Sequence, residues 1–182
     1  MSRTIKAMTK GQMPRTVEDL NDLREKVAKW GTLEKIKGRT SPALFLVYVS
    51  GEMIEAWQDG GWVNVLEHYS ELFPYIPAAL EELGLFEIKT TLGELPRLLP
   101  EFGEFEEEDI YDAMTFLINH RLEVFDDRLK RYSRERRMEI SKEFHGLMGR
   151  LDDLSERVWG YQSPGEGWEG LLRYIERKYN AE

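Results

Sequence analysis

Apolar residues recur along most of this chain at steps of three and four, the spacing that lines one face of an α-helix. Val17, Leu20, Leu23, Val27 and Trp30 form the first such stripe, with Thr16 placed as an N-cap and Gly31 as its stop. Residues 31–40 read as a basic linker. Ser41-Pro42 then opens a helix by the Ser N-cap, Pro N1 rule, and Ala43 to Val49 continues through Met53, Ile54 and Trp57, with Gly51 as a weak point. Asp59-Gly60-Gly61 breaks the chain, and a short apolar helix follows from Trp62 to Tyr69. Pro74 and Pro77 mark a linker before a short helix, Ala78 to Leu83, with Gly84 in the C′ position.

Residues 85–99 read as helical, with Thr91-Leu92-Gly93-Glu94 as a capping box that leaves Pro96 inside the second turn. Ile110, Ala113, Met114, Leu117, Ile118, Leu122, Phe125 and Leu129 predict one long helix. Ile140 to Val158 predicts another, stopped by Gly160. Ser163-Pro164 restarts the chain, and Trp168, Leu171, Leu172, Ile175 and Tyr179 form a last amphipathic helix. The fold class expected is all-α: a single multi-helix domain over 41–182, with residues 1–40 as a loosely attached basic N-terminal arm or helix.

Charge changes this picture more than composition does. The net charge of −9 is unevenly distributed. Residues 1–40 hold 10 bases and 5 acids, net +5, while residues 41–112 hold 16 acids and 2 bases, net −14. Residues 113–150 return to +3 and residues 151–182 to −3. The densest acidic run holds Glu101, Glu104, Glu106, Glu107, Glu108, Asp109 and Asp112, with no base among them. Carboxylates there suit a helix N-terminus, and the whole block attracts something basic at low salt. Binding of nucleic acid or an anionic membrane through this block is disfavoured. A basic cluster of Arg128, Lys130, Arg131, Arg134, Arg136, Arg137 and Lys142 follows. With Tyr132 among them, seven bases in fifteen residues have the composition to grip a nucleic acid backbone, but the acidic rest of the chain would repel phosphate, so no direct nucleic acid binding is expected and the cluster reads first as a hinge between two helices that pairs with neighbouring acids. The rival reading is self-association into a homodimer, with this patch meeting the acidic block of a second copy.

Candidate chemistry is sparse. Without cysteine there is no thiolate, disulfide or cysteine nucleophile. His68, His120 and His145 lack metal-ligand spacing, so neither metal nor cofactor is expected. The acid pairs Asp126-Asp127, Asp152-Asp153 with Glu156, and Glu81-Glu82 all fall on polar helix faces and read as solvated surface. No phosphate-binding loop or Gly-x-Ser-x-Gly elbow occurs. A non-enzymatic protein is expected, with no secretory signal and no membrane span, so a cytoplasmic location is the default.

One stretch is distinctive: Glu55-Ala56-Trp57-Gln58-Asp59-Gly60-Gly61-Trp62-Val63-Asn64-Val65-Leu66-Glu67-His68. It resembles the signature of the bacterial DNA-mimic protein family, a helical domain long catalogued as of unknown function. The family pattern is a Glu, a few residues, then Asn-Gly-Gly-Phe, any residue, Gln, two aromatics, any residue and Asn. Glu55, Gly60 and Gly61 match outright. Asp59 stands for the Asn, Trp62 for the Phe and Asn64 for the Gln. Val65 and Leu66 replace the aromatic pair, and His68 replaces the last Asn. Ala79-Leu80-Glu81-Glu82-Leu83-Gly84 is similar to the family's next helix, and Leu151-Asp152-Asp153-Leu154 and Leu172-Arg173-Tyr174-Ile175 also fit.

The resemblance spans roughly residues 44–178, most strongly 52–84. It implies an acidic protein that binds a basic partner, such as a DNA-binding regulator, and blocks or regulates it. Fourteen surplus charges equal those on roughly 24 Å of duplex. An immunity or antitoxin-type protein, or a carboxylate enzyme, are the alternatives. Physically the motif is scaffold first. Two glycines permit a sharp turn, Asp59 is placed to accept N–H groups of the next helix, Trp62 and Leu66 to plug the core, and Asn64 to bond the turn's carbonyls.

Overall fold

The computed structural model describes residues 3–105 and 107–181; of Glu107 and Glu108 it describes the backbone only. It is all-α: the described residues form eleven α-helical segments and three short 3-10 turns, and the single β-type contact is an isolated bridge between Arg3 and Thr40. Among the described residues no helix is long and apolar enough to cross a membrane.

Three helices occupy the N-terminal part: α1 (Ile5–Met8), α2 (Val17–Ala28) and α3 (Leu33–Arg39). Thr16 caps α2 as its sequence position predicts. Its hydroxyl accepts the Asp19 N–H at 3.1 Å while the Asp19 carboxylate accepts the Thr16 N–H at 3.1 Å. Residues 31–40 are not a linker, however: α3 forms there and buries Ile36 completely. Nor is the N-terminal part loosely attached. Ile5, Leu20, Leu23, Val27 and Ile36 belong to the one core cluster that extends to Ile175. The Arg3 N–H donates to the Arg39 carbonyl at 2.8 Å, and Ser41 N–H donates back to the Arg3 carbonyl at 2.8 Å.

The axis of the fold is α4 (Pro42–His68), capped by the Ser41 hydroxyl on the Leu44 N–H at 3.2 Å and interrupted at Gly60-Gly61. After it come α5 (Ile76–Glu82), α6 (Phe86–Leu92) and α7 (Leu95–Leu98). Gly84 ends α5 with φ +76°: its N–H reaches the Glu81 carbonyl at 2.9 Å and Leu85 N–H reaches Leu80 at 2.8 Å, the Schellman pair. The capping box expected at Thr91 does not form. Thr91 lies inside α6, and Pro96 sits in the first turn of the separate α7, where a missing N–H costs nothing.

The second half holds α8 (Glu107–Ile118), α9 (Asp127–Lys130), α10 (Arg134–Trp159) and α11 (Glu169–Ala181). The single helix expected over 110–129 therefore stops at Ile118, and Leu122 and Phe125 lie in solvent. The reason is on α10. The buried Arg137 guanidinium donates to the carbonyls of Leu122 (2.6 Å), Asn119 (3.0 Å), Thr115 (3.3 Å) and Phe116 (3.4 Å). Ser141 Oγ and His145 Nε2, one and two turns further along α10, both meet the Ile118 carbonyl. Terminal carbonyls that would otherwise be orphaned are thus taken by a neighbouring helix. Helix α10 packs against α4, α6, α7 and α8, and α11 closes against α4 and α1.

Candidate functional site: the Gly-Gly turn and the acidic face of α4

Gly61 has φ +71°, the left-handed region that other residues enter only with strain. Gly60, at φ −165°, is extended. The acceptor for the restarted helix is not Asp59, which is exposed, but Asp152 of α10. One oxygen of Asp152 accepts the Trp62 backbone N–H at 3.0 Å and the Trp57 indole N–H at 2.9 Å. A Cβ on Gly61 would lie 2.9 Å from that oxygen. Asp152 is therefore no surface carboxylate, contrary to its reading from sequence. Asn64 does bond a carbonyl across the turn: its amide donates to Ala56 at 2.8 Å. Trp62 and Leu66 are fully buried, as their spacing implies, and the Trp62 indole donates to Ser155 Oγ at 2.8 Å. Gln58 fastens the same region to the loop before α11, donating to the Trp159 and Glu166 carbonyls at 2.7 and 2.8 Å.

On α4, Tyr48, Glu52, Glu55 and Asp59 are spaced by four, three and four residues, a helical stripe. The buried Arg24 of α2 lies against it. Its guanidinium donates to Glu52 at 2.8 and 3.2 Å, to Glu55, and to Asn21 at 3.1 Å, and it stacks over the Trp168 ring at 5.6 Å. Gly51 makes room for it: a Cβ there would meet the Arg24 side chain at 2.4 Å, so this glycine is a point of close approach and not a weak point. Burial alone would lower the Arg24 pKa, but Glu52 and Glu55 more than reverse this and hold it raised. The Tyr48 phenol is pushed up to about 12 by burial, then by Glu52, with a further contribution from Glu71. Burial also raises the Tyr69 pKa, and Glu52, Glu55 and Asp59 add to it. Arg24 is thus held by Glu52 and Glu55, while Asp59 acts on Tyr69 and Glu71 on Tyr48 at the margins of the same stripe. Sequence alone isolates Glu55 and Asp59; Arg24 and Asp152 come from distant helices and carry no local signal.

The acidic run of 101–112 is differently disposed from its appearance in sequence. Glu101 is buried, bonded by the Tyr132 hydroxyl at 3.0 Å and paired with Arg131. Asp109 pairs with Arg128 at 2.7 Å. Asp112 accepts the backbone N–H groups of Phe125 and Asp126 at 2.8 and 2.6 Å. Glu104 is exposed. Glu106 and the side chains of Glu107 and Glu108 lie outside the described residues. Its acids at 101, 109 and 112 therefore hold the 119–132 segment in place. The hollow bordered by Asp109, Asp112 and Asp126, about 380 Å³, is accounted for in the same way. Asp126 is held below the usual carboxylate range by the Arg128 side chain, an ionised partner and not a proton donor. Among the described residues no group of three His, Asp or Glu side chains is arranged to hold a metal.

No protein-family model, curated protein or solved structure matches the chain.

Proposed function

We propose that this chain is a non-enzymatic interaction protein whose acidic α4 face engages a basic, nucleic-acid-binding protein, in the manner of the DNA-mimic proteins that its Gly-Gly segment resembles. The observation behind this reading is the carboxylate stripe of α4: Glu52 and Glu55 share the one Arg24 guanidinium, and the exposed Asp59 continues the stripe with no ion pair among the described residues. Along α4 the three are separated by about 4.5 and 6 Å of helix rise, within a factor of two of the 3.4 Å per phosphate along a DNA strand. Tyr48 and Tyr69 supply aromatic surface beside the charge, the residue type that anchors protein interfaces.

Asp59 and Glu71 are exposed and carry no hydrogen bond or ion pair among the described residues, so replacing them leaves the Arg24 cluster intact. Affinity capture from a bacterial lysate tests the reading. The wild-type chain should retain a basic nucleic-acid-binding protein that duplex DNA competes away. The Asp59→Asn/Glu71→Gln variant should retain less of it. Capture should weaken between 0.01 M and 0.15 M salt, as the Debye length shrinks from about 30 to about 8 Å. A partner indifferent to both salt and substitution, or tight duplex binding by the purified chain itself, would overturn the reading.

A further inference from the structure

The cationic cluster is not uniformly engaged. Arg128 pairs with Asp109 and Asp126, Lys130 with Asp127, Arg131 with Glu101, Arg136 with Glu139, and Arg137 caps α8. Arg134 and Lys142, together with Arg121 from the turn after α8, have no side-chain partner among the described residues. These three free cations border one feature. Two adjoining hollows of about 470 and 550 Å³ flank the α8–α9 turn and share His120 and Arg121 as a common wall. Lys142 lines the first, and Lys130 and Arg134 the second; Glu123 is the one carboxylate lining either. Two large apolar side chains lie open in the same walls, Leu122 at 53% and Met138 at 50% exposure.

We infer that this groove docks the acidic α4 face of a second copy of the chain, head to tail. The inference rests on the α4 face being a protein-binding surface, and it adds a partner and a form of regulation for that surface. Charge complementarity selects the occupant. The stripe Glu52, Glu55 and Asp59 of α4, with Glu71 in the turn after it, sets four carboxylates against one arginine, while in the groove Arg121, Arg134 and Lys142 outnumber the one carboxylate, Glu123. Chemistry beyond charge agrees. The exposed Leu122 and Met138 gain nothing from a sugar-phosphate backbone, whereas the Tyr48 and Tyr69 rings beside the α4 carboxylates offer them apolar contact. Because groove and α4 face are different surfaces, the contact is heterologous, and each added copy leaves one face of each kind open. Self-association then hides the α4 face of every copy but the terminal one. A basic partner must displace a neighbouring copy to reach it.

Sedimentation velocity of the full chain in 0.05 M and 0.5 M salt tests this. The wild type should exceed monomer mass with rising concentration in low salt and revert to monomer in high salt. The groove variant Arg121→Gln/Arg134→Gln/Lys142→Gln and the face variant Asp59→Asn/Glu71→Gln should each associate at least about tenfold more weakly. None of the five side chains makes a hydrogen bond or ion pair among the described residues, so both variants should keep the wild-type circular dichroism. Mixed together, they should form a one-to-one complex that grows no further, through the intact α4 face of the first and the intact groove of the second. A wild type that stays monomeric in low salt overturns the inference, as does association that survives in either variant or a mixture that does not associate. Capture of the basic partner reports separately. A monomeric wild type that still captures it through Asp59 and Glu71 leaves the proposed function standing without the docking.

Discussion

Gly61 combines two demands that a side chain cannot meet: a left-handed backbone angle and a carboxylate oxygen where its Cβ would be. Gly84 makes only the first demand, since nothing lies within 4 Å of its Cβ position. The two positions together separate angle from contact. Gly84→Ala should lower stability by about 1 kcal/mol, the usual size of left-handed strain. Gly61→Val should exceed that, because it also pushes Asp152 away from the Trp57 indole and the Trp62 N–H. Urea denaturation midpoints measure both. Equal shifts would mean that Asp152 moves aside freely, and an unchanged midpoint for Gly61→Val would make the turn an ordinary one.

At the scale of the element, the helix ends show what local sequence carries. The starts of α2 and α4 are legible because Thr16 and Ser41 lie beside the groups they cap. The end of α8 is not, because its stop comes from Arg137, Ser141 and His145 on another helix, while Leu122 and Phe125 continue the apolar spacing in a segment that has left the helix. Helix α3 was equally hidden: in seven mostly charged residues, Leu33 and Ile36 are the apolar signal, and only packing against α4 makes them a core face. In the site, the glycines and Asn64 are legible for the same local reason, and Arg24 and Asp152 are not. Arg137→Met keeps an unbranched apolar side chain at this buried position and removes every donor, along with the guanidinium that lies over the Phe116 ring. It should cost roughly 2 kcal/mol or more, since hydrogen bonds from a charged group are each worth about 1.5–3 kcal/mol and their buried acceptors are left unpaired. Thermal melting gives the loss, and faster amide hydrogen exchange over residues 115–122 would locate it; unchanged exchange there would show that α8 ends without help.

For the whole molecule, the charge blocks read along the chain do not map directly onto charged faces. Glu101 and Asp109 of the −14 block pair with Arg131 and Arg128 of the basic cluster, whereas Asp59 and Glu71 lie exposed at and beyond the end of the α4 stripe and Arg121, Arg134 and Lys142 lie exposed along the groove beside α8. The +5 N-terminal part likewise sends one of its bases, Arg24, into the acidic cluster as a buried counter-charge. Deleting residues 1–40 should therefore abolish the cooperative thermal transition. It strips Ile5, Leu20, Leu23, Val27 and Ile36 from the core and leaves Glu52 and Glu55 without their arginine. A fragment 41–182 that melts cooperatively near the full-length temperature would mean that the N-terminal helices are an accessory after all.

Asp152 also sets a clock. It lies 90 residues after Trp62, whose N–H it accepts. On a ribosome adding about 5–20 residues per second, the turn at Gly60-Gly61 waits roughly 5–20 s for its acceptor to be synthesised. Through that interval the turn between the two halves of α4 lacks the carboxylate that, in the finished fold, accepts both the Trp62 N–H and the Trp57 indole N–H.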